Sequence, residues 1–301
     1  MDEIRKSTNM VKAYIYLLLS YVIAFLIALA IGLVFRFLHP LLMILMADIA
    51  ATIVIYIFST ILKNTSLYDP YWSIAPLLIS FYYLLFPQIN ALSNPRFLIV
   101  FILVFIWSIR LTYNWIRQWH GLKHEDWRYR KYRTEKGKNF WLINLIGLQL
   151  MPTIQVYLGS ISLYPAISLR SRSFGLVDIL AILITASAIL LETIADQQLH
   201  NFIKTRKNEK EIITTGLWRY SRHPNYFGEI LYWWGLYLFA LAADPSFFWA
   251  IIGSLCITAL FIFLSIPLME ARNLERKPEY EAYIKQTSRL IPWFSKNKKN
   301  D

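Results

Sequence analysis

The side chains best suited to chemistry lie in one stretch, Thr215 to Trp234, where Arg219, Arg222, His223, Asn225, Tyr226 and Glu229 meet an apolar segment. Pro224 suits the first turn of a helix, since its missing N–H costs nothing there and its φ is already helical. His223 before it is pushed out of the helical region. The free N–H groups and positive dipole end of a helix starting at Pro224 would stand beside Arg219, Arg222 and His223, a combination that suits phosphate or carboxylate. From that start Asn225, Glu229 and Tyr232 fall at i, i+4 and i+7 on one face, with Gly228 leaving room for a close approach. A carboxylate one turn into an apolar helix needs a partner, either a ligand or a structural arginine.

Other polar groups sit at the ends of apolar runs. Glu192, Asp196 and His200 repeat at i, i+4 and i+8, and two carboxylates so placed repel unless cations or donors intervene, the nearest candidates being Arg219 and Arg222 after the short hydrophilic loop. An interhelical salt bridge and a ligand contact both satisfy that pattern. Arg110, Tyr113, Asn114 and Arg117 share about two turns, and Arg110 is costly in hydrocarbon unless it faces the interior. Asp69 precedes Pro70 at the mouth of an apolar run, as a helix cap or as a functional carboxylate. His120, His124, Glu125 and Asp126 have metal-ligand spacing, but Gly121 interrupts them and there is no second cluster, so no metal site is expected. Arg272, Arg276 and Arg289 lie in a basic amphipathic tail, which reads as a membrane-surface segment or as a lid.

The elements that must position these groups are membrane helices. In 301 residues, 56% are hydrophobic and 16% aromatic, and the mean hydropathy is +0.41, well outside soluble composition. Runs able to cross about 30 Å of hydrocarbon fall at 13–35, 41–62, 71–87, 97–116, 140–166, 176–195, 226–243 and 247–269, the third and seventh being short. Pro152 and the amides Gln149 and Gln155 in the fifth imply a kinked, cavity-lining span. The first two, with Asp48 their only acid, read as packing and anchoring helices. Of 31 Lys and Arg, 26 fall on one side, which puts both termini in the cytoplasm and leaves Arg36, Arg96, Arg170 and Arg172 opposite. The net charge of +12 is thus explained by contact with membrane lipids, without nucleic acid. The single cysteine, Cys256, excludes a disulfide framework. Neither a Rossmann glycine motif nor a Walker motif is present, so any nucleotide must bind among helices and loops. The expectation is an all-α polytopic membrane bundle of seven to eight helices. Anchoring helices occupy 1–63, a catalytic membrane domain 64–294 and a polar tail 295–301, and the oligomeric state is not legible.

The run Gly216-Leu-Trp-Arg-Tyr-Ser-Arg-His-Pro-Asn-Tyr-Phe-Gly-Glu229, with Glu192–Leu199 and Glu125–Tyr129, resembles the DUF1295 branch of the steroid 5α-reductase-like membrane proteins. The likeness covers roughly 64–294 and is strongest in the C-terminal third. It implies a bacterial inner-membrane reductase that takes NADPH from the cytoplasm and saturates a carbon–carbon double bond of a lipid or steroid-like enone. By the same resemblance Asn225 and Glu229 stand near the nicotinamide and Asp196 contacts the cofactor. Glu192 replaces an asparagine and Arg272 a histidine of the steroid reductases. On this reading Arg219, Arg222 and His223 hold the phosphates, and the substrate's proton donor is sought among Asp69, Tyr113 and Tyr226. The Arg-His-Pro-x-Tyr-x-Gly run also resembles isoprenylcysteine carboxyl methyltransferases, which implies S-adenosylmethionine as the alternative. A non-catalytic lipid-binding protein is the third possibility.

Overall fold

The computed structural model describes residues 2–85, 95–169 and 172–294, with side chains from Met10 onward. Arg170, part of 71–87 and the 295–301 tail lie outside the described residues. Helices are the only extended secondary structure among the described residues, joined by turns and loops, with one isolated β-bridge between Ser221 and Ser288.

Helices α1 (Asp2–Val34) and α2 (Pro40–Ile61) form a hairpin. On α1 the small residues Ala13, Ser20 and Ala24 are buried, whereas Leu18, Leu33 and Val34 point outward, as expected where small side chains let helices approach within lipid. Next come α3 (Tyr71–Leu85), α4 (Pro95–Ile116) and α5 (Trp127–Lys136). The following rod, 140–160, comprises α6 (Phe140–Leu142), a π-helical segment (Ile143–Leu150) and α7 (Met151–Ser160). The expected kink is there, and it takes the form of a wider helix. Pro152 has no N–H to offer the preceding turn, so the hydrogen-bond ladder slips to the π pattern. Two further π segments, Tyr164–Ser168 and Phe261–Ser265, likewise contain or closely precede a proline, Pro165 and Pro267.

The long α8 (Leu176–Thr205) packs along α9 (Pro224–Ala243), and α10 (Ile251–Leu260), α11 (Ile266–Arg276) and α12 (Tyr280–Gln286) close the chain. Helix α8 runs ten residues past the expected 176–195, so Asp196 and His200 are helical. Among the described residues six helices are long and apolar enough to cross a membrane: Met10–Val34, Pro40–Ile61, Pro95–Ile116, Trp127–Ser160, Leu176–Thr205 and Pro245–Arg276. The other two expected spans differ in kind: α3 is only 15 residues long, and α9 begins with a polar turn and is enclosed by the bundle. The fully buried Trp107, Trp233, Tyr232, Leu236 and Phe239 mark the core around α9.

Candidate functional site

Helix α9 starts as its sequence dictates, with His223 outside the helical region (φ −138°, ψ 58°) and Pro224 in the first turn. The face bearing Asn225, Glu229 and Tyr232 turns inward, toward α4 and α8. The close approach that Gly228 permits is made by α8: a Cβ at Gly228 would come within 2.8 Å of the Glu192 Cβ and 3.0 Å of the Ala188 carbonyl oxygen.

The carboxylates on this seam are matched by Arg110 of α4. Its Nη1 donates to Asp196 Oδ2 at 3.0 Å. Its Nη2 lies 2.7 Å from Glu192 Oε2, in contact but not aligned as a hydrogen bond. Asp196 also accepts from Asn114 at 3.0 Å and from Asn225 at 3.2 Å. Glu229, 2% exposed, accepts from the indole N–H groups of Trp107 and Trp233, each at 2.9 Å. Trp107 stacks on Tyr232 with ring centroids 4.4 Å apart. The sequence pointed to Arg219 and Arg222 as the balancing cations for Glu192 and Asp196, and the structure corrects this. Arg110 occupies the neighbouring helix at the same depth, whereas Arg219 and Arg222 lie before α9 begins.

Arg222 turns the other way. It pairs with Glu270 at 2.7 Å and donates to the carbonyls of Ile284 and Thr287 at 3.0 and 2.6 Å, capping α12. His223 Nε2 approaches the same Glu270 oxygen at 3.3 Å. Burial holds the His223 imidazole below its usual range against the pull of Glu270, so it is neutral at pH 7. The Arg222 N–H to Ser288 bond (2.8 Å) and the Trp293 N–H to Tyr220 bond (2.9 Å) strap the C-terminal segment to this loop. Arg219 is exposed. Of the three groups expected at the α9 N-terminus, the structure brings Arg222 and His223 together on Glu270 and leaves Arg219 exposed.

A second polar group forms where two loops dock. Asn64 Nδ2 donates to the Leu122 and His124 carbonyls at 2.7 and 3.0 Å, and Glu125 accepts from the Thr65 N–H at 2.9 Å while pairing with Arg133 at 2.6 Å. Asp69 accepts from Tyr129 Oη at 2.5 Å and Trp115 Nε1 at 3.4 Å. Burial raises its carboxyl to about 6, against the opposing pull of Arg128. Arg272 lies over the Trp127 ring at 4.1 Å. Tyr226 stacks on His223 with centroids 5.3 Å apart and is within electrostatic reach of Arg128, Asp126 and Asp196, so it stands between the two groups. Tyr113 is on the outer side of α4, 57% exposed, with Arg117 over its ring at 5.1 Å. It is not brought to either group.

The N-terminal helices hold more than packing. Between α1, α2 and α3 lies a cavity of about 390 Å³ lined by Tyr21, Phe25, Leu29, Met43, Ala51 and Leu78 among other apolar groups, with Asp48 and Tyr71 on its wall. Tyr71 Oη donates to Asp48 Oδ1 at 2.6 Å, and Asp48 Oδ2 is buried with no hydrogen-bond partner. Sequence reasoning found no chemistry in these helices. An aspartate in an apolar span was the available signal, and its tyrosine, 23 positions away, was not visible as a partner.

A family model described as Protein of unknown function (DUF1295) matches residues 55–287. The Schizosaccharomyces pombe protein named Uncharacterized protein C594.04c is 29% identical over 252 residues, covering 76% of this chain and 73% of its own. That relative is from a yeast, so the likeness does not single out a bacterial inner membrane. No solved structure matches.

Proposed function

Because this chain belongs to the DUF1295 family, a steroid 5α-reductase-like membrane family, we propose that it is an NADPH-dependent membrane reductase. Its substrate on this reading is a lipid with a carbon–carbon double bond conjugated to a carbonyl. The observation that carries the reading is the Asp48–Tyr71 pair on the wall of an apolar cavity. A cavity of that lining suits a hydrocarbon body with one polar end. Addition of hydride to the far carbon of an enone leaves negative charge on the carbonyl oxygen, which then needs a donor. Asp48 Oδ1 is engaged by Tyr71 and Oδ2 has no hydrogen-bond partner, so a proton carried on Oδ2 would be free to donate to a ligand oxygen. This pair takes the role that the sequence assigned to Asp69, Tyr113 or Tyr226.

NADPH supplies the hydride when bound, and its phosphates require cations that are not already committed. Arg222 is committed to Glu270. A better fit is the group Arg130, Arg206, Arg272 and Lys277, flanked by Arg128 and Arg276, which pair with Asp126 and Glu209; the members of this group repel one another. Burial and the charges of Arg206, Arg276 and Arg272 hold the Lys277 ammonium below its usual range, and a polyanion relieves that repulsion. These cations belong to the segments that charge asymmetry assigns to the cytoplasm. Asn225 and Asp196 offer an amide and a carboxylate suited to the nicotinamide carboxamide, with Glu192 beside them. Glu229 holds their helix in register through its two indole bonds.

Titration of the purified protein in detergent with NADPH and with S-adenosylmethionine tests the cofactor. NADPH binds more tightly, and Arg272→Ala weakens it. Tight S-adenosylmethionine binding with no NADPH binding overturns the reading in favour of a methyltransferase.

A further inference from the structure

Counting charge on the α4–α8–α9 seam leaves an imbalance. Glu192 and Asp196 share one guanidinium, that of Arg110, on the seam where Glu229 is held by two indoles, and the two glutamates are 4% and 2% exposed. Asp196 and Arg110 compensate each other. A second and a third ionised carboxylate side by side in an apolar bundle would be expensive. The two glutamates face one seam: Gly228, next to Glu229, packs on the Glu192 Cβ, and Trp107, which binds Glu229, lies one turn of α4 before the Arg110 that touches Glu192, and two carboxyls so close in an apolar bundle do not both stay ionised.

We propose that Glu192 and Glu229 form a proton-holding site, one proton being shared by the pair at the centre of the bundle. Glu229 provides the carboxylate, because two indole N–H groups already stabilise its oxygens, and Glu192 provides the acid. An independent observation points to the same place. Tyr232 lies about one turn on from Glu229 on the inward face of α9, is fully buried, stacks on the Trp107 that binds Glu229, and its hydroxyl has no hydrogen-bond partner. That hydroxyl is a donor ready for the pair when the proton leaves. Asn225 and Asn114 face Asp196, so they do not serve the glutamates. A proton fits better than a metal ion, since no grouping of His, Cys, Asp and Glu among the described residues could hold one. The site takes up or releases its proton as the charge beside it changes. It stands whether or not the protein is a reductase.

Infrared spectroscopy of the full-length protein in detergent at neutral pH tests this through the carbonyl stretch of a protonated carboxylic acid. The band is present, shifts when the protein is made with glutamate heavy at the side-chain carboxyl carbon, and persists in Asp48→Asn, which controls for the other buried acid. Glu192→Gln, whose amide can donate to Glu229 as the acid does, removes the component of the band that shifts with the glutamate label and leaves any aspartic acid component in place. Absence of a protonated-acid band in the wild type overturns the proposal. So does a band with no component that shifts with the glutamate label, or a label-sensitive component that survives intact in Glu192→Gln. The label experiment needs no variant, so a poorly folding Glu192→Gln leaves the test standing.

Discussion

Helices α4 and α8 are joined by arginine–carboxylate contacts at two levels, and the two levels differ in kind. Arg96 meets Asp178, and fourteen residues on along both helices Arg110 meets Glu192. The shared spacing means the helices run parallel with their contacts about 21 Å apart. At the first level the match is one to one. Arg96 donates to Asp178 at 2.5 and 2.8 Å and to the carbonyls of Arg172, Ser173 and Ala242, while Asp178 also accepts from the Gly175 N–H and so caps α8. At the second level one guanidinium meets two carboxylates, with Glu229 a third on the same seam held only by indoles, and Arg110 Nε and the Tyr232 hydroxyl lack hydrogen-bond partners. A closed, fully paired buried ion pair holds helices in place. An open one, with spare acids and idle donors, is where protons and ligands can be exchanged.

The largest expected effect breaks the closed level. Arg96→Ala leaves Asp178 charged and alone, at a cost of about 3–5 kcal/mol, whereas the charge-free pair Arg96→Met with Asp178→Leu regains most of it. Thermal unfolding in detergent measures both. If the double variant is as damaged as the single one, the Arg96–Asp178 contact does more than hold the helices.

How much of this was legible in the sequence follows the same division. Pro224 fixed where α9 starts, and the i, i+4, i+7 spacing fixed the face that turns inward, because both depend on neighbours in the chain. Arg110 was visible as an arginine needing company, but its partners lie on α8, 82 and 86 positions on, and only helix packing brings them together. Arg222 misled for the same reason: proximity in sequence suggested Glu192 and Asp196, yet its geometry is set by α12 and Glu270. Gly228 correctly announced a close approach, though by a helix and not by a ligand. Asp48 was passed over because the tyrosine that gives it meaning begins another helix.

A smaller effect is expected at Asp69, intermediate between the two levels with two donors and no guanidinium bond. Burial raises its carboxyl in the folded protein from 3.8 to about 6. The folded state therefore holds this proton more tightly than the unfolded chain, and the stability it gives is complete below 3.8 and lost as pH rises through about 6. Thermal unfolding midpoints taken across that window should fall with rising pH and level off above it, and Asp69→Asn should flatten the decline. An unchanged slope in that variant would assign the titration to another group.

The account's central claim is that this bundle moves hydride from a nicotinamide to a lipid held beside Asp48 and Tyr71. The most direct measurement follows deuterium from the C4 position of labelled NADPH into lipids extracted from the host membrane, by mass spectrometry. The account predicts a lipid that gains one deuterium and one hydrogen across a former double bond. With Asp48→Asn that product is expected to fall by about 10²- to 10⁴-fold, the usual worth of a positioned acid, while NADPH binding is kept. Binding of NADPH with no label in any lipid, or label transfer undiminished in Asp48→Asn, would contradict it.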